Sequence, residues 1–163
     1  MTVSVLFVCL GNICRSPAAQ GILEKMVADA GLQNQVSVDS CGTAAFNVGK
    51  NPDPRSIAAC VAAGYEISRQ VARQIEDRDY LNNDIILAMD RANLINIQAW
   101  APKNFKGEIN LLMHYQKHAG HTQIADPYYA QESQFNEVIK SLEKANTALL
   151  EHIKQHYLHK TEV

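Results

Sequence analysis

Cys9 and Arg15 enclose five residues, Leu10-Gly11-Asn12-Ile13-Cys14, and Ser16-Pro17 follows directly. A cysteine offers a nucleophilic sulfur. An arginine offers a planar fork suited to two oxygens of a phosphate. Gly11 and Asn12 are residue types that tolerate unusual backbone angles, so the segment between them can form a tight loop with its N–H groups turned inward. Such a loop is an anion-binding nest, and the start of a following helix adds partial positive charge. The same field predicts a lowered pKa for Cys9 and a thiolate near neutral pH. A thiolate beneath a bound phosphoryl group is placed for in-line attack on phosphorus. The Ser16 hydroxyl can point back at the sulfur and stabilise it as a leaving group.

This chemistry needs a strand before the loop and a helix after it. Val3 to Val8 is a nearly continuous apolar run rich in β-branched residues, which predicts a strand buried on both faces. Ser16-Pro17 predicts a helix start, with Ser16 as the cap and the helix running to Ala30 before Gly31. Further along, strands are expected at 36–40, 84–89 and 109–112. Helices are expected from Asp53-Pro54 to Ala63, over Ile75–Asn82, from Asp90 to before Pro102, and from about Ser133 to Tyr157. Alternating strands and helices imply a right-handed parallel α/β sheet, with its site at the carboxyl ends of the strands. The 163 residues, 47% hydrophobic and 20% charged, suit a single domain over residues 1–163. A net charge of −2 gives no reason to expect nucleic acid or an anionic membrane as partner. No apolar run is long enough to span a bilayer, and the four cysteines show no secreted framework. A reducing, cytoplasmic setting is expected, with the protein a monomer or a weak homo-oligomer.

The string Val8-Cys9-Leu10-Gly11-Asn12-Ile13-Cys14-Arg15-Ser16-Pro17 resembles the signature of the low-molecular-weight protein tyrosine phosphatases, and the resemblance extends to Asp126-Pro127-Tyr128-Tyr129. It implies a three-layer, doubly wound sheet of four parallel strands in the order 2-1-3-4, with helices on both faces. It also implies hydrolysis of phosphotyrosine and aryl phosphates through a phosphocysteine on Cys9, with Arg15 binding the phosphoryl group. The partners would be phosphotyrosine-containing proteins, with inorganic phosphate as product and no cofactor or metal. Cleavage of a phosphoester needs a proton for the leaving oxygen. From pattern alone, an Asp-Pro pair in a loop reads as a turn; the resemblance makes Asp126 the general acid and later the base. In that role its pKa would be raised by nearby phosphate and partial burial.

The same resemblance places Leu10 to Cys14 and Ser16 around the substrate, with Phe46 on one wall and Tyr128 and Tyr129 on the other. Read by itself, Phe46 is equally an ordinary core aromatic. The resemblance makes Asn12 and Ser40 braces of the loop, and some relatives carry a histidine near Gln70 for that purpose. Asn51-Pro52-Asp53-Pro54-Arg55 departs slightly from the family's Pro-Pro-Asp-x-Arg segment. Relatives that carry this second cysteine can form a reversible disulfide with the nucleophile, so the resemblance implies one between Cys14 and Cys9; read by itself, Cys14 is also compatible with a packed thiol of no redox role, and Cys41 and Cys60 read as small buried hydrophobes. Tyr128 and Tyr129 correspond to tyrosines that can be phosphorylated in the family.

Two histidine groups, His114/His118/His121 and His152/His156/His159, read as solvated surfaces rather than as metal sites. Three rival functions are weighed. An arsenate reductase on the same fold would carry a cysteine pair soon after the third strand, and residues 80–100 contain none. A phosphoarginine phosphatase favours threonine where this chain has Ile13. A non-catalytic phosphopeptide-binding module would need neither nucleophile nor acid.

Overall fold

The computed structural model describes residues 2–117 and 119–158. Four strands form one parallel sheet: β1 (Val3–Cys9), β2 (Val36–Gly42), β3 (Ile85–Ala88) and β4 (Glu108–Leu111), in the order β2-β1-β3-β4. Five α-helices accompany them: α1 (Arg15–Asp29), α2 (Pro54–Ala63), α3 (Asp77–Asn82), α4 (Arg91–Trp100) and α5 (Glu132–Ile153). The expected fold class and strand order are both present.

The apolar run of β1 has a simple cause. Side chains alternate across a strand, and β1 is central, so both of its faces are covered. Val3, Val5, Phe7 and Cys9 pack into a core shared with α1, α2 and α5. Leu6 and Val8 pack into a second core with Ile86, Ala88, Tyr80 of α3 and Ile97 of α4. Phe7, Leu6, Ile86 and Leu87 are fully buried. Each contributes about 1.5–3 kcal/mol of burial free energy.

Helix ends follow local chemistry. Asp53 caps α2 by accepting from the Arg55 N–H at 2.8 Å, Pro54 occupies the first turn, and Gly64 ends the helix in the left-handed region at φ 95°. Asp90 caps α4 in a reciprocal box with Asn93.

Several boundaries differ from expectation. α1 begins at Arg15 with Cys14 before it, and no side chain caps it. Ser16 is not the cap, because its hydroxyl is engaged with Cys9 and Asn12. α3 starts at Asp77 rather than Ile75, because the Ile75 N–H bonds to the Gly42 carbonyl at 2.8 Å. Leu112 leaves β4 and opens a single 3₁₀ turn to Tyr115. After Ile153 the last helix widens into a π turn, Lys154–Leu158.

That end of the molecule is gathered on one carboxylate. Glu108 accepts from Tyr115 Oη at 2.9 Å, lies 3.0 Å from His152 Nε2, and bonds to Tyr157 Oη. His152 also lies beside His156, with ring centroids 4.6 Å apart. His114 stands edge-on to Tyr115, while His118 and His159 lie outside the described residues. Among the described residues, no group of three or more His, Cys, Asp or Glu side chains is disposed to hold a metal ion.

Candidate active site

The loop after β1 is shaped by where its carbonyls go. The Cys9 carbonyl accepts from Thr43 N (2.9 Å), Leu10 from Ala44 N (3.0 Å) and Ile13 from Asp53 N (2.8 Å). The Gly11 carbonyl accepts from Asn47 Nδ2 at 3.4 Å, and Cys14 from Ser56 Oγ at 3.3 Å. With these carbonyls tied outward, the loop N–H groups are left for the inside, which is the condition for an anion nest. Asn12 makes the turn at φ 57°, an angle that asparagine tolerates better than most side chains.

Asn12 is also the loop's internal brace. Its Nδ2 donates to Ser16 Oγ at 2.8 Å and to Ser40 Oγ at 3.1 Å, while its Oδ1 accepts from the Arg73 N–H at 3.0 Å. Ser40 in turn donates to Gln20 Oε1 at 2.7 Å, and Gln70 donates to the Pro17 carbonyl at 2.9 Å. Gln70 Oε1 also lies 3.4 Å from Ser40 Oγ, so Gln70 bridges β2 and α1 at the place where some relatives carry a histidine. Ser16 Oγ lies 2.9 Å from Cys9 Sγ. Ser16 Oγ accepts from Asn12, and its own proton has two acceptors in reach, the Cys9 sulfur and the Cys41 carbonyl at 3.3 Å.

Arg15 is 2% exposed. Its Nη1 donates to Asp90 Oδ2 at 2.6 Å and to the Ile124 carbonyl at 3.0 Å. Its Nη2 lies 3.6 Å from Asp126 Oδ2. One nitrogen is thus committed to the protein, and the Nε–Nη2 edge remains to meet an anion. Burial works against this charge, but the Cys9 sulfur, Asp90 and Asp126 outweigh it and hold the guanidinium's pKa above its ordinary value.

The cleft above Cys9 has a volume of about 220 Å³. Cys9, Leu10, Gly11, Ile13, Cys14, Arg15, Phe46, Asp126, Tyr128 and Tyr129 all line it, so the structure brings the expected residues together. Asn12 and Ser16 lie behind the loop rather than in the cleft. Phe46 is 66% exposed, so it is a wall and not a core aromatic. The Tyr128 and Tyr129 rings, which also line the cleft, meet edge-on with centroids 4.9 Å apart. Asp126 is partly exposed at the rim, where its Oδ1 accepts from the Tyr128 N–H at 3.1 Å. Cys14 is buried beside Cys9. Its thiol pKa is pushed up by burial and then by Asp53 and Cys9.

Three contributors escaped the sequence reading. Asp90 was legible only as a helix cap, yet one of its oxygens grips Arg15 while the other caps α4. Its signal was a charged residue just past a buried strand that neighbours β1. Gly42 pairs with Cys9 across the sheet, and a Cβ there would stand 2.7 Å from the Leu10 carbonyl oxygen and 3.2 Å from the Asn12 nitrogen. Asn47 lines the cleft, and a Cβ on Gly11 would stand 2.6 Å from its Nδ2. Neither the Gly42 nor the Asn47 contact has a local sequence signature.

A parallel α/β sheet with an oxyanion-sized nest at the end of its central strand, walled by aromatics, defines a class of phosphate-handling proteins. The chain belongs to the low molecular weight phosphotyrosine protein phosphatase family, whose sequence profile matches residues 4–159, and so to the hydrolases. The Homo sapiens low molecular weight phosphotyrosine protein phosphatase is 40% identical over 152 residues, 92% of this chain and 95% of that protein. The Sus scrofa protein of the same description is 38% identical over 156 residues, 94% of this chain and 98% of its own. A crystal structure of protein tyrosine phosphatase from Entamoeba histolytica, with Hepes in its active site, matches with a TM-score of 0.91 at 32% identity, covering 96% of this chain and all of that one. Drosophila arginine phosphatase matches with a TM-score of 0.86 at 33% identity, covering 92% and 97%.

Proposed function

We propose that this chain hydrolyses phosphotyrosine in proteins, and small aryl phosphates, through a phosphocysteine on Cys9. The observation that carries the reading is Cys9 at the floor of a cleft that also presents Arg15 and Asp126, with outward-tied loop carbonyls around the sulfur. The loop N–H groups and the Nε–Nη2 edge of Arg15 hold the equatorial phosphoryl oxygens, and hold them more tightly as charge builds in the transition state. The Cys9 thiolate forms the S–P bond as the P–O bond to the phenol breaks. Asp126, protonated, passes its proton to the departing oxygen. Water then attacks the phosphocysteine, Asp126 takes the proton from that water, and phosphate leaves with the thiolate restored. The Ser16 hydroxyl stabilises the sulfur as it departs.

Phe46 and the Tyr128–Tyr129 pair favour a flat aromatic ring. Ile13 and these walls support phosphotyrosine over phosphoarginine, the substrate class named by the Drosophila relative. Cys14 serves as the resolving thiol after oxidation of Cys9. Among the described residues, no helix is long and apolar enough to cross a membrane.

The test is aryl phosphatase turnover in two variants. Cys9→Ser abolishes turnover while phosphate binding is largely kept. Asp126→Ala slows release of phenol from phenyl phosphate by about 10²-fold or more. Turnover unchanged in either variant would falsify the assignment.

A further inference from the structure

We propose that Arg55 is a positioning residue that fixes the separation between Asp126 and Cys9. The inference rests on the reading of Asp126 as general acid. Cys9 sits on β1, whereas Asp126 lies on an irregular segment between the 3₁₀ turn and α5. Before the acid, the Ile124 N–H donates to the Met89 carbonyl at 2.8 Å and the Ile124 carbonyl accepts from Arg15 at 3.0 Å. After it, Arg55 supplies the tie.

Its guanidinium grips Asp53 with both arms, Nε to Oδ1 at 3.1 Å and Nη2 to Oδ2 at 2.8 Å. Nη2 also donates to the Tyr128 carbonyl at 3.0 Å. The two ends of this bridge reach the reacting groups. On one side, the Asp53 N–H donates to the Ile13 carbonyl at 2.8 Å, within the loop that cradles the anion. On the other, the Tyr128 N–H donates to Asp126 Oδ1 at 3.1 Å. A continuous chain of short polar contacts therefore runs from the anion loop, through Asp53 and Arg55, to the acid's own carboxyl group.

The guanidinium is further steadied by two ring faces, Tyr128 at 5.4 Å and Phe135 of α5 at 4.6 Å from the guanidinium carbon to the ring centroid. Arg55 itself does not line the cleft. It acts on the proton, not on the phosphoryl group. Oxygen Oδ1 of Asp126 is held by this bridge, which leaves Oδ2, the atom 3.6 Å from Arg15, to face the leaving oxygen.

A residue that only aligns the acid affects substrates unequally. Phenols that leave readily need little protonation, and poor leaving groups need much. The experiment measures kcat/KM, which covers the steps up to phenol release, for a series of aryl phosphates, from dinitrophenyl phosphate to phosphotyrosine, in the wild type, Arg55→Ala, Arg55→Lys, Asp126→Ala and the Arg55→Ala/Asp126→Ala double variant. Arg55→Ala lowers kcat/KM about tenfold on phosphotyrosine, and the loss shrinks steadily as the phenol becomes more acidic. Arg55→Lys, which keeps a donor and the charge but not the fork, falls between wild type and Arg55→Ala. In the Asp126→Ala background, removing Arg55 adds almost nothing.

An equal loss of kcat/KM on every substrate, or an additive double variant, overturns the proposal and leaves Arg55 a structural side chain. If Asp126→Ala itself shows no leaving-group dependence, the acid assignment fails and the Arg55 proposal falls with it. If Asp126→Ala shows that dependence and Arg55→Ala does not, only the Arg55 proposal is lost. The Lys variant keeps the test open should Arg55→Ala fold poorly.

Discussion

Asp90 shows how much can depend on a single side chain. Its two oxygens serve two different structures, the first turn of α4 and the Arg15 guanidinium. An asparagine there offers one oxygen and no charge, so it satisfies the cap or the guanidinium but not both. Asp90→Asn should weaken phosphate binding and lower kcat/KM by about tenfold, since the ion pair that orients Arg15 is reduced to a hydrogen bond to an uncharged amide; inhibition by inorganic phosphate and steady-state kinetics would read this out. Cys14 makes a different prediction. After peroxide converts Cys9 to a sulfenic acid, attack by the Cys14 sulfur forms the disulfide and releases water, and a thiol reductant restores both cysteines. Burial keeps Cys14 protonated well above the pH at which an ordinary thiol ionises, so the closing step should quicken as pH rises through the neutral range. Recovery of activity with reductant should be impaired in Cys14→Ser; equal recovery would argue against the resolving role.

At the level of elements, the anion loop rests directly on the end of β2. Gly42 is the point of contact, and its φ is unremarkable; what matters is the missing side chain. Gly42→Ala places a methyl 2.7 Å from the Leu10 carbonyl oxygen. The loop must shift, and a displacement of that kind typically costs about 10²-fold in kcat. Measuring phosphate affinity alongside the melting temperature separates a displaced loop from a general loss of stability. Much of this architecture was legible in the chain. The two-sided burial of β1 wrote itself as Val3–Val8, and α2 announced both ends through Asp53-Pro54 and Gly64. The loop and its arginine were carried by residue types in a short window, whereas Phe46, Tyr128 and Tyr129 were placed as walls by the family resemblance alone. Gly42 and Asp90 were not legible as site residues, because their part depends on strand order and register: residue 42 meets Cys9 only once β2 lies beside β1. The start of α1 differs from the expected one for a related reason. A serine before a proline is a good cap, but here its hydroxyl faces a sulfur seven residues earlier.

For the molecule as a whole, the carboxylates with lowered pKa set its response to acid. Hydrogen bonds from Arg55, outweighing burial, hold Asp53 below the usual carboxylate range. Burial opposes the charge on Glu108, but hydrogen bonds from Tyr157, His152 and Tyr115 hold its pKa below the ordinary value too. Carboxyls that are more acidic in the folded state stabilise it at pH above their unfolded values, about 4.3 for glutamate. That contribution fades as pH falls through the lower folded values. Melting temperature should therefore drop below about pH 4, and Glu108→Gln should flatten the drop while lowering stability at neutral pH. Glu108 opens β4, and the strands are parallel, so it lies at the rim opposite Cys9. Of the two carboxylates, Asp53 adjoins the anion loop while Glu108 lies at the far end of the sheet, so only the Glu108 contribution is remote from the reacting groups. Selection, or an engineer, can harden or loosen the C-terminal anchorage around that carboxylate and leave the rate of phosphate release where it was.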